Sequence, residues 1–452
     1  MEMETTDTAC VLLLNLSAAA LGGIDLLSFT TTPRFKGIKN LPPGYHFIFT
    51  SSTSSISVRH GAWFHVKSTK ANEPAPLFIK KWNSSTEALE AETSPAELLR
   101  WRANLGSIWR EGLSPYRQSA VQDSEVAEEK NDWDLLTSEI SESLLSGITG
   151  PTIDHWTLTS ASSAKVDEEK IPGLTQTATE ILEEKELTFF PIDLKRTWRP
   201  GATGRERTEA VLDHTWALND LIESYCRDKV ALEILGEMQF CFLMVLSLNN
   251  YSCLEQWKRI LNLLLTCKAA IVQHRSLYVK LLSTLRLQLQ HCNDVEGGLF
   301  DLSDESGSLL KTLLHKFKLG LAELPKESTE SVTEELFELE NYLRGEYGWQ
   351  LDSDFVRKGM MEMEDGEKIE LQVSGYEEED ESGEYAPVVV DLSPEDVAAF
   401  AGATPFRKIT IHDKERKEVE NSDDESDASD EVQGYEVGFD DDAEVEDMDM
   451  RY

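Results

Sequence analysis

At 452 residues, with 40% hydrophobic side chains and ten tryptophans, the chain has room for two or three domains and for a sizeable core. Its formal net charge of −40 opposes direct nucleic-acid binding, because phosphates reward lysine and arginine through counterion release. The charge is uneven: Glu362 to Tyr452 carries 32 Asp and Glu against seven Lys and Arg, a net of −25 that leaves −15 for the first 361 residues. An ordinary folded body followed by a largely disordered acidic tail is therefore expected.

Near the start, "ACVLLLNLSAAAL" has the apolar, small-residue character of a secretion signal, but Glu2, Glu4 and Asp7 precede it where Lys or Arg would be needed. Val11 to Leu16 reads instead as a buried strand. From residue 8 to about 192 the pattern is mostly β: "CVLLLNL", "YHFIFTS", "AWFHVKS", "PLFIKKW" and "LTFFPID" lie between Gly, Pro and Ser clusters. Two short helices are expected within it, around Pro95–Ala103 and Leu135–Leu145. Stretches 117–131 and 160–180 are polar and read as loops. Such a pattern predicts a sandwich or barrel with irregular insertions.

Within this region "PRFKGIKNLPPGYHFIFTSS" (Pro33 to Ser52) places Arg34, Lys36 and Lys39 together with no acid among them. The basic residues alternate with Phe35 and Ile38, so one face enters a core and the other meets solvent. Three charges fall short of the continuous stripe a nucleic-acid groove needs. The stretch reads as a strand, a Pro-Pro-Gly corner and a second strand.

"KRTWRPGATGRER", residues 195–207, reads as a linker. After it the hydrophobic period changes, and roughly six amphipathic helices are expected from Glu206 to about Gly345. Ser252 in "SCLE" and Ser331 in "SVTE" each stand three residues before Glu and fit the capping-box pattern. The run Val230 to Leu248 is apolar nearly all round, as a central buried helix would be. Met238 to Leu254 is uncharged for 17 residues but falls short of a membrane span of about 20. The helical part is thus a bundle or a short solenoid.

Little in the chain suggests chemistry. "GATGRER" at Gly201 lacks both the preceding strand and the Gly-Lys-Ser of a phosphate loop. His214, His274, His291 and His315 fall in the helical part without metal-ligand spacing, and no G-x-S-x-G elbow occurs. The six cysteines include no Cys-x-x-Cys pair and read as buried free thiols. No catalytic residue, cofactor or metal is expected. In the acidic tail "YAPVVVDL" (385–392), "SPEDVAAFAG" and "PFRKITIHD" (405–413) outline a strand, a short helix and a second strand, too little for a core of their own. They suit folding against a partner surface through Val388, Val389, Val390, Leu392, Ile409 and Ile411. Ser422, in "NSDDESDASDE", has the acidic surroundings favoured by acidophilic kinases and is a candidate regulatory site.

The order of residues adds a resemblance. "GID" at Gly23 followed by "PRFKGIKNLPPGYHFIFTSS" resembles the signature of the A1 cistron-splicing factor (Aar-two) family, with Pro33, Phe35, Gly37, Pro42, Pro43 and Gly44 as its markers. "LFIKKWNSSTE" at Leu77, "LSPYRQ" at Leu113, "RPGATGRERTEAVLDHTWAL" at Arg199 and "YGWQLD" at Tyr347 agree in order. The resemblance covers about residues 8–352. It implies a β-sandwich-like N-terminal domain and an all-α VHS-like helical domain. With the bounds read from the chain itself, the expected fold is α+β multidomain, with the β-sandwich-like domain at 8–194, a linker at 195–207, the helical domain at 208–350, and an acidic, mostly disordered tail at 351–452 with a docking segment at 385–413. The resemblance implies a non-catalytic factor of U5 small nuclear ribonucleoprotein assembly. Such a factor holds the RNase H-like and MPN domains of the large U5 scaffold protein as a placeholder before a helicase arrives. The corresponding expectations are a cytoplasmic protein, able to enter the nucleus with the particle, monomeric outside the complex, with no direct nucleic-acid or membrane contact. Two other binding classes share the bare composition, a VHS-like peptide-sorting adaptor and an acidic histone-type chaperone.

Overall fold

The computed structural model describes residues 8–17, 19–53, 57–68, 74–117, 132–163, 185–292, 305–351, 356–362 and 368–374. All of them belong to one compact unit, Met1–Tyr385. A two-sheet β-rich region comes first and a helical region follows.

The first sheet has the order β8-β7-β1-β4-β9, built from β1 (Ala9–Leu14), β4 (Gly37–Leu41), β7 (Leu77–Asn83), β8 (Ala88–Ala91) and β9 (Leu113–Pro115). It is mixed, since β1 runs parallel to β7 and β4 parallel to β9. The second sheet is antiparallel throughout, in the order β10-β6-β5-β2-β3. Its strands are β2 (Leu21–Ile24), β3 (Leu27–Thr30), β5 (Gly44–Ser51), β6 (His60–Val66) and β10 (Trp156–Thr159).

Alternation along each strand explains the layering. In β1, Cys10, Leu12 and Leu14 pack beneath Leu105 and Trp109 of helix α1 (Pro95–Glu111). Val11 and Leu13 point the other way, into a core shared with Ile48, Ala62 and Phe64 of the second sheet. Successive strand side chains face opposite sides, so a strand covered on both sides must be apolar at every position. That is why "ACVLLL" is an unbroken apolar run, and all six residues are buried. Burying one such leucine or phenylalanine contributes about 1.5–3 kcal/mol relative to exposure.

The second sheet is covered on its outer side as well. Phe47, Phe49 and Trp63 join one apolar cluster with α2 (Asp132–Leu136), α3 (Glu142–Thr149) and the helices that follow. After α4 (Gly204–Leu212), which buries none of its residues, these are α5 (Thr215–Tyr225), α6 (Leu232–Leu248), α7 (Tyr251–Leu265), α8 (Ala270–Gln273), α9 (Arg275–Gln290), α10 (Glu305–Ala322) and α11 (Lys326–Tyr347). Helix α6 is buried from Ile234 to Val245 without a break, as its all-round apolar sequence predicts. The β-rich and helical regions therefore share one core.

Several local expectations change. Helix α1 runs on to Glu111, well past Ala103, because Leu105 and Trp109 continue its buried stripe. "LTFFPID" forms no strand: the Phe190 N–H turns to the Glu237 carboxylate and that of Thr188 to the Ile148 carbonyl, so no ladder can form. Ser252 lies inside α7, whose cap is Asn250, with its side chain accepting from the Cys253 N–H at 2.8 Å. Ser331 is likewise internal, since α11 already starts at Lys326. The capping box that does form is Thr203 with Glu206, inside the stretch read as a linker. That stretch also buries Thr197 and Ala202. Within the acidic segment, Val356–Glu362 and Lys368–Ser374 pair as an antiparallel hairpin, β11 and β12.

Candidate functional site

The signature stretch turns between the two sheets. Strand β4 belongs to the first and β5 to the second, so Leu41-Pro42-Pro43-Gly44 carries the chain across the edge of the sandwich. Gly37 enters β4 at φ +150°, where a Cβ would lie 2.1 Å from the Val11 carbonyl oxygen, so only glycine lets β4 close on β1. Gly44 leaves the corner at φ +144°. Phe35 packs edge-on against Phe29 of β3, with ring centroids 5.0 Å apart. Pro33 and Pro43 are exposed and Pro42 is half-buried.

Beneath the corner three signature stretches meet in one polar network. His46, from "PPGYHF", and Asp25, from "GID", are each 1% exposed, and His46 Nδ1 lies 2.7 Å from Asp25 Oδ2. His46 Nε2 is 2.9 Å from the Pro42 carbonyl oxygen. A carbonyl only accepts, so Nε2 carries a proton, and Nδ1 donates its own to the carboxylate. Burial alone would lower the His46 pKa, but the Asp25 charge and hydrogen bond, aided by Pro42, hold it above the ordinary value. Asp25 also accepts from the Phe47 N–H at 2.8 Å and from the Tyr116 hydroxyl, of "LSPYRQ", at 2.6 Å. Both imidazole nitrogens donate within the cluster, and the buried carboxylate takes three donors from this same chain. The cluster's chemistry is that of a clasp.

The basic residues are not aimed at a common anion. The Lys39 ammonium donates to the Trp109 carbonyl at 3.2 Å and lies 5.6 Å above that indole ring. The Lys36 stem packs against Gly112, and its backbone N–H donates to the Gly112 carbonyl at 2.8 Å. Both tie the corner to α1.

A second polar cluster joins the sheets farther along. Lys80 of β7, 2% exposed, donates to the Asp154 carbonyl at 2.6 Å and to His155 Nδ1 at 2.8 Å. Burial pushes the Lys80 amine down to about 7 against the pull of Asp154, and burial with the Lys80 charge pushes His155 down to about 3. Sequence reading missed both clusters. The residues lie in separate stretches, and only Lys80, charged beside Phe78 and Ile79 in a strand, hinted at one.

At the seam with the helices, Glu237 of α6 is 1% exposed. Its carboxylate accepts from the Phe190 N–H at 3.0 Å and from Gln256 Nε2 at 2.8 Å. Burial raises its pKa to about 7 in spite of these hydrogen bonds. Gln239, two residues on and fully buried, clamps the α2–α3 corner: it accepts from the Glu139 N–H at 2.9 Å and donates to the Leu135 carbonyl at 3.1 Å. A Cβ on Gly236 would lie 2.4 Å from the Glu139 carbonyl oxygen, so the two regions touch backbone to backbone here. Trp63 of the second sheet stacks between Trp133 at 5.7 Å and Phe240 at 6.1 Å.

The six cysteines are buried free thiols, with Cys10 and Cys226 pushed up to about 12, chiefly by burial. Among the described residues no group of His, Cys, Asp and Glu is arranged to hold a metal, and no helix is long and apolar enough to cross a membrane. The expected partner-binding residues Val388, Val389, Val390, Leu392, Ile409 and Ile411, and the regulatory candidate Ser422, lie outside the described residues.

Comparison with known proteins matches the two regions in order. The AAR2 N-terminal domain model matches residues 7–150, and the AAR2 C-terminal repeat region model matches residues 189–352. Among curated relatives, the mouse "Protein AAR2 homolog" is 24% identical over 373 residues, 76% of this chain and 91% of the relative. The human protein of that name is 26% identical over 308 residues, 62% of this chain and 75% of the relative. The Caenorhabditis elegans protein is 24% identical over 314 residues, covering 63% and 79%.

Proposed function

Since the chain belongs to the AAR2 family, we propose that it is a non-catalytic assembly factor in U5 small nuclear ribonucleoprotein biogenesis, serving pre-mRNA splicing. It binds the large U5 scaffold protein at its RNase H-like and MPN domains and holds the place that a helicase later takes. The observation that carries this reading is the match of both family regions, in order, across residues 7–150 and 189–352. The net charge of −40 supports it, because an acidic protein can cover a nucleic-acid-binding surface without competing for the nucleic acid itself. The buried clasp at His46 also supports it, since the signature residues there maintain shape rather than turn over a substrate.

On this reading the protein works in the cytoplasm, enters the nucleus only with the particle, and is a monomer outside the complex. The tail segment 385–413 docks on the partner through Val388, Val389, Val390, Leu392, Ile409 and Ile411. A phosphate on Ser422 would add roughly −1.5 to −2 charge and weaken that docking.

The test is direct binding of the full chain to the recombinant RNase H-like domain of the U5 scaffold, followed by challenge with single-stranded RNA. A stable complex that excludes RNA from that domain is expected. Failure to bind the domain, or tight salt-sensitive RNA binding by this chain alone, would overturn the reading.

A further inference from the structure

The four sheet edges of the β-rich region are not protected alike. An open edge offers unpaired backbone groups to any extended chain, and folded proteins blunt such edges with charge, proline or a cover. Strand β8 carries Glu90, which accepts from Asn83 Nδ2 at 2.8 Å. Strand β9 is three residues long and ends in Pro115. Strand β10 buries Trp156 and lends its Thr157 carbonyl to the Lys185 ammonium at 3.0 Å. Strand β3, "LSFT", has no charge and no proline, and no strand pairs with its outer side among the described residues.

A cavity of about 400 Å³ opens beside this edge, at the mouth of the sandwich between β3 and β9. Leu27, Phe29, Phe35 and Ile38 line it, with Tyr116 and Arg117 on the β9 side. That volume lies within the range of sites that accept large side chains or small ligands, about 300–1,000 Å³. Leu27 and Phe29 are half-buried and alternate with exposed Ser28 and Thr30. The inward side chains of a strand added to β3 would follow Leu27 and Phe29 into the cavity. Arg117 is the one charged residue of the lining, is exposed, and makes no ion pair among the described residues. In a chain of net charge −40, a cation left open beside an apolar cavity selects for a carboxylate.

We propose that β3 is a docking edge for an extended segment of a partner protein, which adds a strand there, buries an apolar side chain in the cavity and sets an acidic residue against Arg117. Recognition of this kind draws affinity from main-chain hydrogen bonds and selectivity from the alternate side chains.

Ser28 stands opposite Gly23, one step beyond the Ile24–Leu27 pair that closes the two-residue hairpin turn. Antiparallel pairs alternate between bonded and non-bonded, which turns the Ser28 N–H outward. Ser28→Pro therefore removes a docking donor without taking one from the sheet. Arg117→Glu reverses the exposed charge. The probe is a library of random dodecapeptides displayed on phage, selected on the full chain and resynthesised with a fluorescent label. The selected peptides should share apolar residues at alternate positions next to Asp or Glu. They should slow hydrogen exchange at Ser28 and Thr30 and bind each variant at least tenfold more weakly. Failure to enrich such a pattern, or binding indifferent to Arg117→Glu, would overturn the proposal. So would peptides that lose affinity for Arg117→Glu while binding Ser28→Pro normally, since that marks the cavity as a site for a small anionic ligand.

Discussion

At the corner of the β-rich region His46 is buried 2.7 Å from the Asp25 carboxylate; at the seam with the helices Glu237 is equally buried, and its hydrogen bonds come from a backbone N–H and an amide. Each group holds its proton to a higher pH than it would in an unfolded chain, for different reasons. At the corner burial is outweighed only by the opposite charge and the hydrogen bonds together; at the seam burial itself expels the charge. A paired cation fixes geometry, because both of its protons must reach fixed acceptors. An unpaired carboxylate fixes much less, and makes the seam sensitive to pH.

The largest effect belongs to the corner. Asp25→Ala leaves a buried imidazolium, the Phe47 N–H and the Tyr116 hydroxyl without their acceptor. Breaking one side of such a pair costs about 3–5 kcal/mol, and a urea titration at pH 6 should show a loss of that size. The wild-type contribution of His46 is complete below its unfolded value of 6.5 and is lost as pH rises through its higher folded value, so the penalty should shrink on the alkaline side.

Glu237→Gln should act in the opposite sense. With the folded value raised from 4.5 to about 7, the native state keeps a proton that the unfolded chain releases, so stability falls across that interval. The difference amounts to roughly 3 kcal/mol at pH 8. The glutamine variant should be more stable than the wild type by up to that amount at pH 8 and nearly equal to it at pH 5, by urea titration at both. A variant that is less stable at pH 8 would show that the carboxylate has a counter-charge after all.

A local control lies where the chain passes from strands to helices. Thr203→Ala removes the oxygen that caps α4 and half of the capping box. It should cost about 1 kcal/mol with no dependence on pH between 5 and 8, again by urea titration.

Much of this was legible in the sequence. Strand β1 announced itself by an uninterrupted apolar run, and α6 by being apolar on every side, because both are enclosed by protein. The corner was legible as a change of direction, since Pro42, Pro43 and Gly44 permit little else. Its clasp was not: Asp25, His46 and Tyr116 are 21 and 91 residues apart along the chain, and no local period links them. The linker expectation at 195–207 rested on glycine, proline and charge, while Thr203 and Glu206 already stood at capping-box spacing. Ser252 failed as a cap because Asn250, two residues earlier, already accepts from the Cys253 N–H and starts the helix ahead of it. Propensity locates elements; which of two capable residues caps a helix depends on where tertiary packing starts it.

The β-rich and helical regions share one core, with Trp63 between Trp133 and Phe240 and Gly236 against the Glu139 carbonyl. Hydrogen exchange of the full chain across a urea series, read at β5 and α6, measures whether they open together. Exchange free energies that converge on one isotherm for Gly44–Ser51 and Leu232–Leu248 are the predicted result. Two separate isotherms, with α6 surviving after β5 has opened, would contradict it.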